Sequence, residues 1–210
     1  MDNQKESFPQ AGREGRPIDD TTGVIRNVLR SLELNFDEED GALQTRVISK
    51  TLEFDLRCAG WRDDVAKVAV RLPVRASPEN MARVGEFLHR RNFGAKRKIW
   101  ELDHNDGEIR AAIYIDTVLG PLEAGIFPSV LQFIFGSVEA TFPYLTSVLS
   151  GRMSAEFAAD QADAATADFW KNLEGGSVNG RERKNARYQN PELPFCNWQA
   201  TTTGHAASPE

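Results

Sequence analysis

The sequence predicts an α+β domain in which helices pack on one face of an antiparallel sheet of about five strands. The clearest observation is the segment 51–58, which alternates apolar and charged side chains, as a strand does when one face is covered and the other meets solvent. The second is the segment 65–116, where an apolar-rich strand leads into an amphipathic helix and then into two more alternating runs. Together they indicate a sheet with a single covered face.

The first predicted helix begins near Asp20 or Thr21, because either side chain can cap a helix N-terminus. Its apolar side chains recur at the spacing of one helical face. They are Ile25, Val28, Leu29 and Leu32. An acidic loop at residues 37–41 follows, and three strands come after it. They span about residues 43–49, 51–58 and 65–74.

The second helix has an explicit start signal, since Ser77 can cap it and Pro78 favours the first helical position. Its buried stripe is predicted from the same spacing rule. It consists of Met81, Val84, Phe87 and Leu88. Strands four and five follow as a hairpin around Asn105, Asp106 and Gly107, because Asp-Gly favours a two-residue turn in which both residues have positive φ.

A long apolar helix is predicted over about residues 123–149, and Pro143 is expected to kink it or to split it in two. An Ala-rich acidic stretch after it predicts one more helix. The two ends of the chain are polar and lack periodicity, so they bury too little apolar surface to become ordered. The predicted organisation is a flexible N-terminal arm (1–18), an α+β domain (19–152), an acidic Ala-rich helix (153–175) and a flexible C-terminal tail (176–210).

The overall charge argues against a nucleic-acid partner. The formal net charge is −6 and the isoelectric point is about 5.2, whereas nucleic-acid binding needs a basic face. We expect no membrane association and a cytoplasmic protein, because no apolar run is long enough to span a bilayer and the N-terminus has no apolar signal region. Cys58 and Cys196 are expected to be free thiols, which suits a reducing compartment.

The residues that could carry chemistry form no recognisable site. The three histidines are not at metal-ligand spacing, neither cysteine has a close partner, and the sequence contains no phosphate-binding loop or calcium loop. We therefore expect no catalytic residue, no cofactor and no metal ion. The chain is predicted not to be an enzyme.

Three aromatic residues are candidates for contact with a partner. Trp61 is predicted to lie in a hairpin loop, where it can anchor a protein partner or simply pack against the domain. Phe195 and Trp198 lie in the polar tail. There they can form a linear docking segment, or they can be part of an ordinary flexible end.

Three segments of the chain resemble the YbjN-domain family in their amino-acid sequence and in their order along the chain. They are VRLPVRASPENMARVGEFLHRRNFG (Val70–Gly94), WELDHNDGEIRAAIYID (Trp100–Asp116) and FPYLTSVLSG (Phe142–Gly151). The resemblance covers about residues 25–151 and leaves both ends of the chain unmatched. It implies a fold similar to that of type III secretion chaperones, which are often dimeric. It also implies a proposed regulator of bacterial sensory transduction, in a family without established catalytic residues.

Two classes of function remain open at this point. One is a non-catalytic protein-interaction or chaperone-like regulatory module of a bacterial cytoplasm, which binds a protein or peptide partner or forms a homodimer. The other is a small-molecule sensor or an enzyme with a pocket between the helices and the sheet. The second class requires convergent polar groups with perturbed pKa values in such a pocket.

Overall fold

The computed structural model describes residues 18–49, 51–62, 65–93, 95, 98–117, 122–175 and 199–201. The helices are α1 (Ile18–Ser31), α2 (Met81–Phe93), α3 (Phe127–Leu149) and α4 (Ala155–Gly175). The strands are β1 (Asp37–Glu39), β2 (Ala42–Ile48), β3 (Glu53–Arg62), β4 (Val65–Arg75), β5 (Lys98–Leu102), β6 (Glu108–Asp116) and β7 (Gln199–Thr201).

All the strand pairs of the sheet are antiparallel, and the strand order is β1-β2-β3-β4-β6-β5. The predicted α+β class is therefore confirmed, although this order contains six strands rather than about five. The additional strand β1 comes from the acidic segment that was expected to be a loop. It pairs with the first half of β2, and β7 pairs with the second half of the same strand.

The tight Asp-Gly turn lies in a different hairpin from the predicted one. Asp40 and Gly41 both have positive φ, and they connect β1 to β2 as a two-residue turn. In the loop between β5 and β6, Gly107 has positive φ but Asp106 does not, so the predicted turn type there is wrong. The longer loop is closed instead by carboxylates, because Asp103 accepts the Asn105 N–H and Asp106 accepts the Glu108 N–H.

The surroundings of Gly107 leave no room for a side chain at this position. A Cβ at this position would lie 1.9 Å from the carbonyl oxygen of Ala76, whose own N–H donates to the Gly107 carbonyl at 2.8 Å. The loop that joins β5 to β6 therefore packs directly against the segment that enters α2. Only glycine offers both the positive φ and the space.

The two faces of the sheet differ in polarity, as the alternation in the sequence predicts. Phe54, Leu56 and Cys58 of β3 are buried, whereas Glu53 and Arg57 on the opposite face are exposed. Helix α1 covers β2 and β3, α3 covers β4 and β6, and α2 covers β5. Helix α4 packs on α2 and α3, so it forms a second layer outside the first.

Helix α3 is packed on two sides. On the sheet side, the Phe135 ring lies 5.0 Å from the Phe54 ring between their centroids. On the other side Gly136 faces α4, because a Cβ there would lie 2.1 Å from the Phe169 ring. The helix continues through Pro143 without a break, since buried residues on both sides of the proline, Thr141 and Leu145, hold its two halves in place.

Helix α2 begins later than its start signal suggests. The carbonyl of Ser77 accepts the N–H groups of Asn80 and Met81 at 3.0 and 2.9 Å, which makes a turn that leads directly into the helix. The Ser77 hydroxyl hydrogen-bonds the Glu79 carboxylate, and this bond is the main cause of the lowered pKa of Glu79. Ser77 therefore contributes to the start of the helix through its backbone carbonyl.

The buried stripe of α2 generates a stability prediction. Leu88→Ala should lower the free energy of unfolding by roughly 2–5 kcal/mol, because the truncation leaves a cavity among residues that cannot close over it. Chemical denaturation measures this value. The control is Phe157→Ala in α4, where the ring is 53% exposed and the change should stay within about 0.5 kcal/mol. Equal losses for both variants would contradict the packing described here.

Candidate functional site

The uncovered face of the sheet carries charged side chains that pair with one another across the strands. Asp55 of β3 pairs with Arg46 of β2 and with Arg71 of β4. Glu108 lies 3.1 Å from Arg110, and Glu101 lies 3.3 Å from Lys67. Exposed pairs of this kind contribute at most about 1 kcal/mol each to stability. Their effect is to keep this face polar, because most of its charged groups find their partners within the face.

One edge of the sheet is closed by a side chain. At the centre of β5, the Asn92 amide donates to the Trp100 carbonyl at 2.9 Å, and the Trp100 N–H donates to the Asn92 Oδ1 at 2.7 Å. The amide therefore makes both of the hydrogen bonds that a neighbouring strand would make to Trp100. Because unpaired edge groups attract further strands, Asn92 hinders strand addition at the centre of this edge.

The opposite edge of the sheet is closed by two short strands. β1 pairs with Ala42–Gln44, and β7 pairs with Arg46–Ile48. β1 belongs to the local hairpin, and Arg26 of α1 ties it to the domain through an ion pair of 2.7 Å with Glu38. That contact lowers the pKa of the Glu38 carboxyl. β7, in contrast, arrives from the C-terminal region, so the second half of β2 is covered by a distant segment.

A buried cationic cluster lies where β5 meets α2, α3 and α4. Its members are Arg91, Lys98 and Trp100, with Thr141, Asp163 and Thr166 around the guanidinium. Arg91 donates at 3.1 Å to the Thr141 hydroxyl and at 3.1 Å to the Thr166 hydroxyl, and it forms an ion pair with Asp163. The Lys98 Nζ lies 4.8 Å from the centroid of the Trp100 ring. Arg91, Lys98 and Trp100 are each at least 95% buried.

Burial dominates the electrostatics of this cluster. Burial is the main cause that lowers the pKa of Lys98 to about 7, and the nearby positive charge of Arg91 contributes to the same shift. Burial also lowers the pKa of Arg91, to about 10. Two of the N–H groups, Nε of Arg91 and Nε1 of Trp100, are buried without a hydrogen-bond partner among the described residues. Buried donors without partners are uncommon in folded proteins, so these two N–H groups are free to donate to a water molecule, an ion or a ligand.

The structure separates the three aromatic residues that the sequence singled out. Trp61 lies within β3, not in a hairpin loop, because β3 runs on to Arg62 and the connection to β4 is correspondingly short. Phe195 and Trp198 lie outside the described residues. The segment 199–201, which directly follows Trp198, is a strand rather than part of a flexible tail. No described contact brings the three aromatics together.

Sequence reasoning missed the cationic cluster, although signals for it existed. Arg91 follows Phe87 and Leu88 by four and three residues, which is the spacing of the buried stripe. Lys98, Trp100 and Leu102 alternate along β5, so they share the covered face, while Ile99 lies on the other face and is 48% exposed. The apolar Ile99 between Lys98 and Trp100 hides this alternation, so neither basic residue stands out in the sequence.

Other chemistry finds no support in the described part of the chain. Cys58 is a buried free thiol, and burial raises its pKa, which leaves it protonated and unreactive at neutral pH. The described residues contain no group of three or more His, Cys, Asp or Glu side chains that could hold a metal ion. None of the described helices is both long enough and apolar enough to cross a membrane.

Comparison with known proteins gives a structural similarity only. One solved structure that matches is YbjN from E. coli, a proposed transcription regulator. The match has a TM-score of 0.43 and 14% sequence identity, and it covers 62% of this chain and 90% of that one. No family model and no curated protein matches the sequence. Membership of the YbjN-domain family therefore stays a prediction.

The protection of the β5 edge can be tested with Asn92→Ala. The substitution leaves the N–H and carbonyl of Trp100 unpaired, so we expect a loss of roughly 1–3 kcal/mol in the free energy of unfolding. Size-exclusion chromatography should also show concentration-dependent association through the opened edge. The matched control, Asn105→Ala in an exposed turn, should change neither quantity appreciably. Wild-type stability and a monodisperse Asn92→Ala protein would argue against the protective role.

The lowered pKa of Lys98 predicts a pH dependence of stability. Between about pH 7 and pH 10 the folded protein holds Lys98 neutral while the unfolded chain keeps it protonated, so stability rises with pH across this window. Below about pH 7 the full penalty of burying the charge is present. Lys98→Met should therefore be more stable than wild type at pH 6, and its advantage should shrink by pH 9. An advantage that is constant with pH would show that Lys98 does not titrate in this range.

Proposed function

We propose that the chain is a non-catalytic protein-interaction module that binds an extended polypeptide segment by adding it as a strand to the second half of β2. The observation that supports this proposal is the pairing of β7 with β2. Residues 46–48 pair antiparallel with residues 201–199, so this edge accepts a strand that is not its neighbour in sequence. Strand addition is a common way in which proteins recognise extended peptides.

The weakness of β7 supports exchange with a partner. It contains three residues, and 23 residues (176–198) separate it from α4 along the chain. Three pairs of a ladder contribute little net free energy, because each backbone hydrogen bond adds only about 1 kcal/mol. The covalent attachment of β7 also favours its pairing, because it raises the effective concentration of this segment at β2 above that of a free peptide. A partner strand with longer pairing or additional side-chain contacts can replace it.

The asymmetry of the two edges supports binding at a single place. Asn92 closes the β5 edge, and β1 covers the first half of β2, where Glu38 is held by Arg26. Among the described residues, the Arg46–Ile48 stretch is the part of this edge that a segment distant in sequence covers. Strand addition at one edge also ends with one partner, because the far edge cannot continue the ladder into a filament.

On this proposal the C-terminal segment has a regulatory role. When β7 is seated, it competes in cis with any extended partner, and when a partner binds, the C-terminal segment is released. Trp198 directly precedes β7 and Phe195 lies shortly before it, so both belong to the part of the chain that would be released. A cytoplasmic regulator that binds a peptide, or exchanges β7 with a second copy in a homodimer, would fit this arrangement.

A second candidate function has an observation of its own. A sensor of a small molecule requires convergent polar groups with perturbed pKa values between the helices and the sheet. The cluster of Arg91, Lys98 and Trp100 has these properties. The two functions occupy different parts of the molecule and are compatible with each other.

Strand addition can be tested in the full-length chain with Ala200→Pro. Proline cannot donate to a strand ladder, so this variant should vacate the second half of β2. The probe is a fluorescein-labelled peptide of residues 195–205 that carries Cys196→Ser to prevent disulfide formation. Fluorescence anisotropy should show at least tenfold tighter binding of the probe to Ala200→Pro than to wild type.

Two controls define the outcome of this test. Ala207→Pro lies beyond β7 and should bind the probe as wild type does, and a probe that itself contains Ala200→Pro should not bind. Equal affinity of wild type and Ala200→Pro would reject the proposal. A wild-type dimer that dissociates on Ala200→Pro substitution would support strand addition with a second copy as the partner.

A further inference from the structure

The cationic cluster carries an excess of buried positive charge. Arg91 and Lys98 are each 5% exposed, and an ion pair within the cluster joins Arg91 to Asp163. Among the described residues, Lys98 has no ion pair and no hydrogen-bond acceptor for its ammonium group. The Asp163 carboxylate is also two-thirds exposed to solvent, so it screens its neighbours only in part. A buried charge that lacks a counterion is costly, and when Lys98 is protonated the described part of the cluster holds two cations against one carboxylate.

The polar groups that remain unpaired in the cluster are all donors. Nε of Arg91 and Nε1 of Trp100 have no hydrogen-bond partner in the described structure, and the Lys98 ammonium adds further N–H groups when it is protonated. A ligand that satisfies them must offer several acceptor atoms and a negative charge. Carboxylate and phosphate oxygens meet both requirements, and arginine and lysine are their usual partners.

The cluster is held rigidly enough to select a ligand. Asn92 fixes both backbone groups of Trp100, and the Lys98 ammonium lies over the ring of that tryptophan. The Arg91 guanidinium is held by Thr141 from α3 and by Thr166 from α4. Four elements therefore fix the positions of the donors before any ligand arrives, which reduces the entropic cost of binding.

We infer that the cluster of Arg91, Lys98 and Trp100 is a binding site for a small oxyanion, a carboxylate or a phosphate, which supplies the missing counterion. This inference deepens the second candidate function and does not depend on strand addition. The site lies beneath α4, which contributes Asp163 and Thr166, and at the covered face of β5.

Binding should be linked to proton uptake. The charged groups recorded around Lys98 are Arg91 from α2 and, through Arg91, Asp163 from α4. α3 contributes the neutral Thr141, and the residue opposite Lys98 in β6 is Ile113. With one carboxylate near two cations, Lys98 favours its neutral form when the site is empty. An anion reverses this balance, so the ligand should bind together with a proton and more tightly at pH 6 than at pH 8.5.

The experiment uses the full-length chain with sodium phosphate and sodium acetate as separate probes, and with sodium chloride at matched ionic strength as the reference. Thermal unfolding and isothermal titration calorimetry are measured at pH 6 and pH 8.5. At least one oxyanion should raise the melting temperature above the chloride reference, by more at pH 6. A response to phosphate alone indicates a phosphate-bearing ligand, and a response to acetate alone indicates a carboxylate.

The variants separate this site from a general salt effect. Lys98→Met should lower the affinity for the anion that binds wild type at least tenfold. Lys67→Met, on the outer face of the sheet, should bind that anion with wild-type affinity. If Lys98→Met does not fold, Trp100→Phe keeps a ring and removes the Nε1 donor, and it should weaken binding severalfold while preserving the pH dependence. The inference fails if neither oxyanion exceeds chloride at either pH, or if both site variants respond as wild type. The anion response should be unchanged in Ala200→Pro, so the two proposals can fail separately.

Discussion

Helix α3 is packed on both of its sides, and the rest of the fold depends on that arrangement. Its Phe135 meets Phe54 on the covered face of the sheet, and its Gly136 allows the Phe169 ring of α4 to approach closely. A helix that is apolar nearly all round can be stable in water only when something covers each face. α3 therefore requires both the sheet and α4, and the last helix is a structural part of the domain rather than an appendage.

The position of α4 has a consequence for chemistry. Because α4 packs on α2 and α3, it brings Asp163 and Thr166 to the buried end of α2. There both side chains accept hydrogen bonds from Arg91. These two residues lie after Gly151, outside the segment that resembles the YbjN-domain family. The charged interior of this protein thus depends on a part of the chain that the resemblance does not reach.

The two edges of the sheet are covered in different ways, and each proposed binding site lies near one of them. The centre of the β5 edge is covered by the amide of Asn92. This residue belongs to α2, which packs on β5 as part of the domain. The β2 edge is closed partly by β7, which three residue pairs hold at the end of a long connection. A permanent closure protects against aggregation, whereas an exchangeable one can respond to a partner. The proposed anion site lies beside the β5 edge, at the opposite end of the sheet from the part of β2 that β7 covers.

The sequence by itself determined the class of fold and most of its elements. Alternation around Phe54 and the stripe that includes Leu88 depend only on the period of a strand or a helix, and a local pattern records that period directly. The tertiary structure decided what local patterns do not record. It chose Asp40-Gly41 over Asp106-Gly107 for the tight turn, because only the first pair joins strands in a two-residue register. It also turned Lys98 inward and seated β7 on β2, since a strand's register and its neighbours are set by segments far away in the chain, and no single stretch of sequence contains both partners of such a contact.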